Sequence, residues 1–227
     1  MSGSLLALLH LCDSLFPIGG FGYSDGLESA IASGAIAEVS DLRAWVDVSL
    51  EETIGRSDGP TLLGAWTAFT DRDWDMLARF DQEATALRPS STARRASRAM
   101  GLRLVTTWQA LYRDLALDGV MKLARDGAIG PALPVAFAVA CAASGVDRRS
   151  SAEAFAYTRL AATISAAMRL MPIGQSDAHG LLADALSRVP ATVELMLGRD
   201  ARAESFAPAM DIAAMSQQYL HSRLFRS

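Results

Sequence analysis

The chain has 227 residues, 51% of them hydrophobic and 20% charged, with a formal net charge of −4 at pH 7. That mixture can bury a core in one large domain, lies far from the sparse, charged composition of disorder, and offers no basic field for a nucleic-acid backbone. Its two cysteines, Cys12 and Cys141, form no disulfide framework and read as small apolar packing residues in a reducing compartment.

Helical spacing runs along almost the whole chain. Leu5, Leu8, Leu9, Cys12 and Phe16 recur at helical intervals behind Ser4, which predicts an N-capped helix with those residues on its buried face. No basic residue precedes this segment and Asp13 follows it, so it reads as a core helix rather than a signal peptide. Pro17 and Gly19-Gly20 interrupt the pattern, and a second helix is predicted from Asp25, with Glu28 in the capping-box position and Gly34 as its stop. A third is predicted over 40–54, with Leu42, Trp45, Val46 and Leu50 on one face and Gly55 beyond its end. Pro60 opens a fourth, "DWDMLARFDQEATAL" carries a fifth up to Pro89, and a long sixth is predicted over 92–117. Arg94, Arg95, Arg98 and Arg103 on that helix suit an acidic partner or a solvated face.

"PVAFAVACAASG" predicts a wholly buried helix closed by Gly145, and Ser150 with Glu153 makes a capping box at the head of the next. Short helices are predicted around "SDAHGLLADALSRV" and through "DIAAMSQQYLHSRLF". No run of alternating β-branched residues calls for a sheet. The expected class is all-α: one helical-bundle-like domain over 1–227, of about ten helices with no significant sheet. No stretch reaches the roughly 20 apolar residues of a membrane span, so a cytoplasmic protein with no membrane partner is expected.

Residues 22–26, Gly-Tyr-Ser-Asp-Gly, spell G-x-S-x-G, the nucleophile elbow of serine hydrolases, and His179 or His221 would nominally complete a triad. An elbow needs a strand running into a helix, however, and the segment before Ser24 reads as helix. The stretch reads instead as a rigid aromatic turn of Phe16, Pro17, Phe21 and Tyr23, with glycines permitting its bends and Ser24 or Asp25 capping the helix beyond. Tyr23 and Glu28 are then expected near a partner surface or a dimer centre. No lysine follows the glycines as a phosphate loop requires. His10, Cys12 and Asp13 are too few to close a metal shell, so no metal site and no catalytic residue is assigned. Arg169 is expected to bind the last carbonyls of its own helix, and Gln175, after a Pro-Ile-Gly turn, to bond its backbone or serve a partner. Leu220, Leu224 and Phe225 keep the chain end apolar, which calls for cover from its own core or from a partner.

Three separated stretches resemble the UreF family of urease accessory proteins: "LFPIGGFGYSDGLE", "SAAMRLMPIGQSDAHGLL" and "DIAAMSQQYLHSRLFRS". The resemblance implies an all-helical, homodimeric and non-enzymatic scaffold. It would join UreD, also called UreH, and the GTPase UreG on the urease apoprotein, coupling GTP hydrolysis to nickel delivery. No cofactor is implied as tightly bound; nickel is cargo of the complex. Tyr157 matches a family tyrosine on the helix associated with dimerisation. Ser222, Arg223, Leu224 and Phe225 match the terminal "SRLF", whose arginine helps order the tail for recruiting the GTPase. The chain departs from the family where Gln217-Gln218 replaces His-Glu and where Leu133 precedes Pro134. A serine hydrolase acting through Ser24 and a helical adaptor unrelated to urease are the alternative readings.

Overall fold

An apolar stripe at three- and four-residue spacing is buried best on a helix, whose backbone groups satisfy one another. The computed structural model describes residues 2–199 and 202–226 and contains no strand among them. Its helices are α1 (Ser2–Cys12), α2 (Leu27–Ala32), α3 (Val39–Val48), α4 (Gly59–Thr70), α5 (Trp74–Ala86) and α6 (Ser91–Tyr112). They continue as α7 (Leu115–Arg125), α8 (Leu133–Ala143), α9 (Arg148–Leu170), α10 (Gln175–Leu197) and α11 (Pro208–Ser216). The all-α expectation holds.

The centre is α8, buried at every residue from Leu133 to Cys141 and packed by α4, α6 and α9. A helix without a polar face needs a neighbour on every side. Close approach is arranged by Gly101 of α6, where an added Cβ would lie 1.9 Å from the Pro131 carbonyl oxygen. The loop entering α8 is held by buried Asp81, which accepts the amides of Gly130 at 2.9 Å and Ala132 at 2.6 Å. Both cysteines pack without bonding to each other; burial pushes the Cys12 thiol up to about 11 and the Cys141 thiol up to about 12.

Several boundaries differ from the sequence reading. In α1 the residues turned inward are Ala7 and Leu11, whereas Leu5 and Leu9 are 58% and 59% exposed, and Ser4 lies within the helix. Phe16 does reach the core, but from the turn after α1, with its ring centroid 5.6 Å from that of Trp108 at a tilt of 57°. Gly55 ends nothing: Ser49–Asp58 is a π-helix that joins α3 to α4 while keeping Leu50 and Ile54 buried. The predicted helix over 92–117 is two helices, because Arg113 adopts a left-handed φ of 49° and Asp114 caps α7 by accepting the Ala116 amide at 2.7 Å. Asp147, not Ser150 with Glu153, caps α9, accepting the Ser150 amide at 2.9 Å. The short helix expected around "SDAHGLLADALSRV" is a helix of 23 residues that runs on through Pro190, carried by burial of Ala185, Val189 and Val193. The last helix stops at Ser216; a 3₁₀ turn over Gln217–Tyr219 follows, and residues 220–226 form a non-helical tail. Among the described residues, no helix is long and apolar enough to cross a membrane.

Candidate functional site

The glycine-rich turn is the cradle of the C-terminal tail. Asp25 and Gly26 take successive left-handed conformations, φ 50° and 88°, which swing the chain into α2. Gly26 is required sterically as well, because a Cβ there would lie 2.6 Å from the Ala214 amide nitrogen of α11. The capping box expected at Glu28 does not form, since Gly26 occupies the N-cap position. Glu28 is 7% exposed and points across to the tail, its Oε1 accepting the Leu224 amide at 2.6 Å and its Oε2 the Phe225 amide at 3.2 Å. Those amides are bonded to a carboxylate rather than to a preceding helical turn, so their donors are satisfied although the segment is not helical.

A second set of bonds fastens the same two segments. Gln217 Oε1 accepts the Gly26 amide at 3.1 Å and the Ser24 hydroxyl at 3.3 Å, and its Nε2 donates to the Arg226 carbonyl at 3.3 Å. The Arg226 amide donates to the Gly22 carbonyl at 2.6 Å. A buried side chain at 217 must therefore accept and donate at once, which an amide does without titrating. The Ser24 hydroxyl is only 3.5 Å from the Glu28 amide, the limit of a bond, so its cap contribution is slight and its tie to Gln217 is the stronger role.

Helix α9 clamps the turn from its other side. Arg169 does not bind its own helix end: its guanidinium donates to the Phe21 carbonyl at 3.0 Å and lies 4.4 Å over the Phe225 ring. Arg159 pairs with Asp25, whose carboxylate raises the already high pKa of the guanidinium. Between α1, the turn and α9 lies a largely apolar groove of about 910 Å³. Phe21, Tyr23, Tyr157, Arg169 and Phe225 all line it, Tyr157 being 41% exposed and Phe225 only 4%.

The structure thus gathers Phe21, Tyr23, Glu28, Tyr157, Arg169, Leu224 and Phe225 around one turn. Phe16 contributes to the groove wall from within the core, Pro17 is exposed on the turn, and exposed Arg223 lines a neighbouring recess of about 550 Å³ with Arg95 and Arg226. Gln175 and Ser222 are exposed and lie outside the groove lining; Ser227 lies outside the described residues. Sequence reasoning did not find Arg159 or the fastening role of Gln217. Asp25 and Arg159 are 134 positions apart, and nothing local marks them as partners.

The hydrolase geometry is absent from this turn. Ser24 is 5% exposed with its hydroxyl bonded to Gln217, the residues before it form turns and a short 3₁₀ helix over Gly20–Gly22 rather than a strand, and His179 and His221 are exposed on α10 and the tail. Among the described residues, no group of three or more His, Cys, Asp or Glu is placed to hold a metal ion.

A family model described as UreF matches residues 36–186. The chain is 32% identical to the urease accessory protein UreF of Azoarcus sp. (strain BH72), over 98% of this chain and 95% of the relative. It is also 32% identical to that of Nitrosococcus oceani over 99% of each chain, and 31% identical to that of Methylibium petroleiphilum over 100% of this chain and 95% of the relative. The turn and the tail lie outside the stretch matched by the family model but inside the alignment with the Methylibium petroleiphilum relative, which covers 100% of this chain. The match to the family model over 36–186, together with identity that runs from end to end, shows that the chain belongs to the UreF family of urease accessory proteins.

Proposed function

We propose that the chain is a non-catalytic, cytoplasmic scaffold of urease maturation that works as a homodimer. It joins UreD (UreH) and the GTPase UreG on the urease apoprotein, so that GTP hydrolysis is coupled to nickel delivery. The observation that carries this reading is the fastened tail. Segment 220–226 has no helix or strand of its own, yet it is bonded to buried Glu28, and Leu224 within it and Tyr219 just before it stay 54% and 78% exposed, a held and partly apolar surface suited to a protein partner. The polar groups that could have served catalysis, Ser24 and Glu28, are engaged in that fastening.

Self-association is supported by α9. Glu153, Tyr157, Ala161, Ser165 and Arg169 line the groove at intervals of four residues, one ridge of the helix. A two-fold axis at Ala161 sets Tyr157 of either copy against the small Ser165 of the other and Glu153 toward Arg169, complementary in size and charge. Nickel enters this reading as cargo. No residue of the chain is assigned to hold it, and Gln217, standing where the family has histidine, is an amide rather than an imidazole donor.

The test is co-expression with UreD and UreG of the same organism, followed by size-exclusion chromatography with light scattering. A complex whose mass requires two copies of each protein, lost on deletion from Tyr219 onward, is the expected result. Failure of the folded chain to bind either competent partner would overturn the bridging role. Labelling of Ser24 by a fluorophosphonate probe would return it to the hydrolase.

A further inference from the structure

The tail does more than lie beside the groove, because Phe225 is one of its walls. Its ring lines the groove together with Tyr23 and Arg169, and the Arg169 guanidinium that rests on it also donates to the carbonyl of Phe21, a further lining residue. If the tail lifts away, the groove loses Phe225, Arg169 loses its aromatic platform, and the turn loses the Arg226 amide on Gly22. Glu28, which fastens the tail, does not line the groove at all.

We infer that pairing of two copies across the α9 groove and closure of the C-terminal tail are one coupled equilibrium, with Phe225 and Arg169 as the shared parts. The inference rests on the proposed homodimer and adds its regulation. The occupant of the groove is a second copy, on the ground of the Glu153 and Arg169 complementarity about Ala161. A second copy that meets the complete groove binds the closed-tail form better than the open one, so by linkage it must favour closure by the same factor. A partner that draws the tail out would then loosen the pair, and one that clasps the closed tail would tighten it.

The test uses the full chain and two readouts. Sedimentation gives the pairing constant. Hydrogen exchange of the C-terminal peptide, at concentrations below and above that constant, gives tail opening in the single and paired forms. Tail exchange is expected to slow by about tenfold or more on pairing, while peptides of α8 stay unchanged. Reciprocally, a chain ending at Arg223 is expected to pair at least about tenfold more weakly. Tyr157→Asp, at an exposed position away from the tail bonds, is expected to leave the tail at its single-chain opening rate at every concentration. Equal tail exchange in single and paired forms, or unchanged pairing without the tail, overturns the coupling while leaving the homodimer intact. A wild-type chain that stays single up to about 0.1 mM removes the homodimer itself, and the inference with it.

Discussion

Replacing Glu28 by glutamine changes two atoms' worth of chemistry at the tail. Each carboxylate oxygen now accepts one backbone amide, Leu224 at 2.6 Å and Phe225 at 3.2 Å. In Glu28→Gln one oxygen becomes an NH₂ that faces an N–H, so one bond is lost outright and the other changes from charge-assisted to neutral. A bond to a charged group is worth about 1.5–3 kcal/mol and a neutral one about 1, so the loss of one and the weakening of the other cost about 2–5 kcal/mol. The lower end of that range is already roughly a 30-fold rise in the open-tail population, since about 1.4 kcal/mol corresponds to a factor of ten. The assay is native-state hydrogen exchange of the peptide covering 220–226, with a peptide of α8 as the internal control. The expected result is tail exchange faster by that factor or more with the α8 peptide unchanged, a local rather than global opening. Tail exchange within about twofold of wild type would refute the assignment of Glu28 as the principal fastening, because no bond of the strength claimed could vanish with so small an effect.

Gly26→Ala forces a Cβ to 2.6 Å from the Ala214 amide at a φ of 88°, so it is expected to cost at least about 2 kcal/mol, read as a lower urea midpoint with the same m-value. Gln217→Leu leaves the Gly26 amide and the Ser24 hydroxyl without their acceptor, at about 1–3 kcal/mol for the buried amide, whereas Ser24→Ala removes one long bond and should cost about 1 or less; equal losses in thermal melts would contradict this ordering. Alkali should destabilise the fold through its two thiols. Their folded pKa values, about 11 and about 12, stand above the ordinary 9.0. The unfolded chain therefore loses those protons first, and stability that is complete below pH 9 falls as pH rises through that window. The double variant Cys12→Ala, Cys141→Ala should show a shallower decline over the same range; an unchanged slope would assign the alkaline loss to other groups. Acid acts on Asp147, whose carboxyl lies below the ordinary 3.8 because it accepts the Ser150 amide and hydroxyl. Its contribution is present above pH 3.8 and lost as pH falls through the lower folded value, so Asp147→Asn should flatten the acid limb of a stability curve.

Much of the fold was determined by the sequence alone. Spacing of apolar residues marks helices from one end to the other, and the run from Leu133 to Cys141 has no polar face, so it must sit at the centre. Pro17 with Gly19-Gly20 marks a turn, and two of the three family motifs mark the stretches near the two ends of the chain as special. Periodicity did not decide which face of α1 is buried: Leu5 and Leu9 carry the stronger apolar pattern, yet Ala7 and Leu11 are the α1 residues that meet the core. Nor did it resolve the π-helix across Gly55, since burial of Leu50 and Ile54 holds a backbone that the local sequence would release. The site itself was decided only by tertiary structure. Glu28 has the spacing of a capping residue, and in an isolated helix that is what its carboxylate would do. In the folded chain the amides of Leu224 and Phe225, 196 and 197 positions away, offer it two donors in a buried place, where an unbonded carboxylate is costly. Local propensity names the residues able to accept such bonds; only the packing of α2 against α11 chooses the donors.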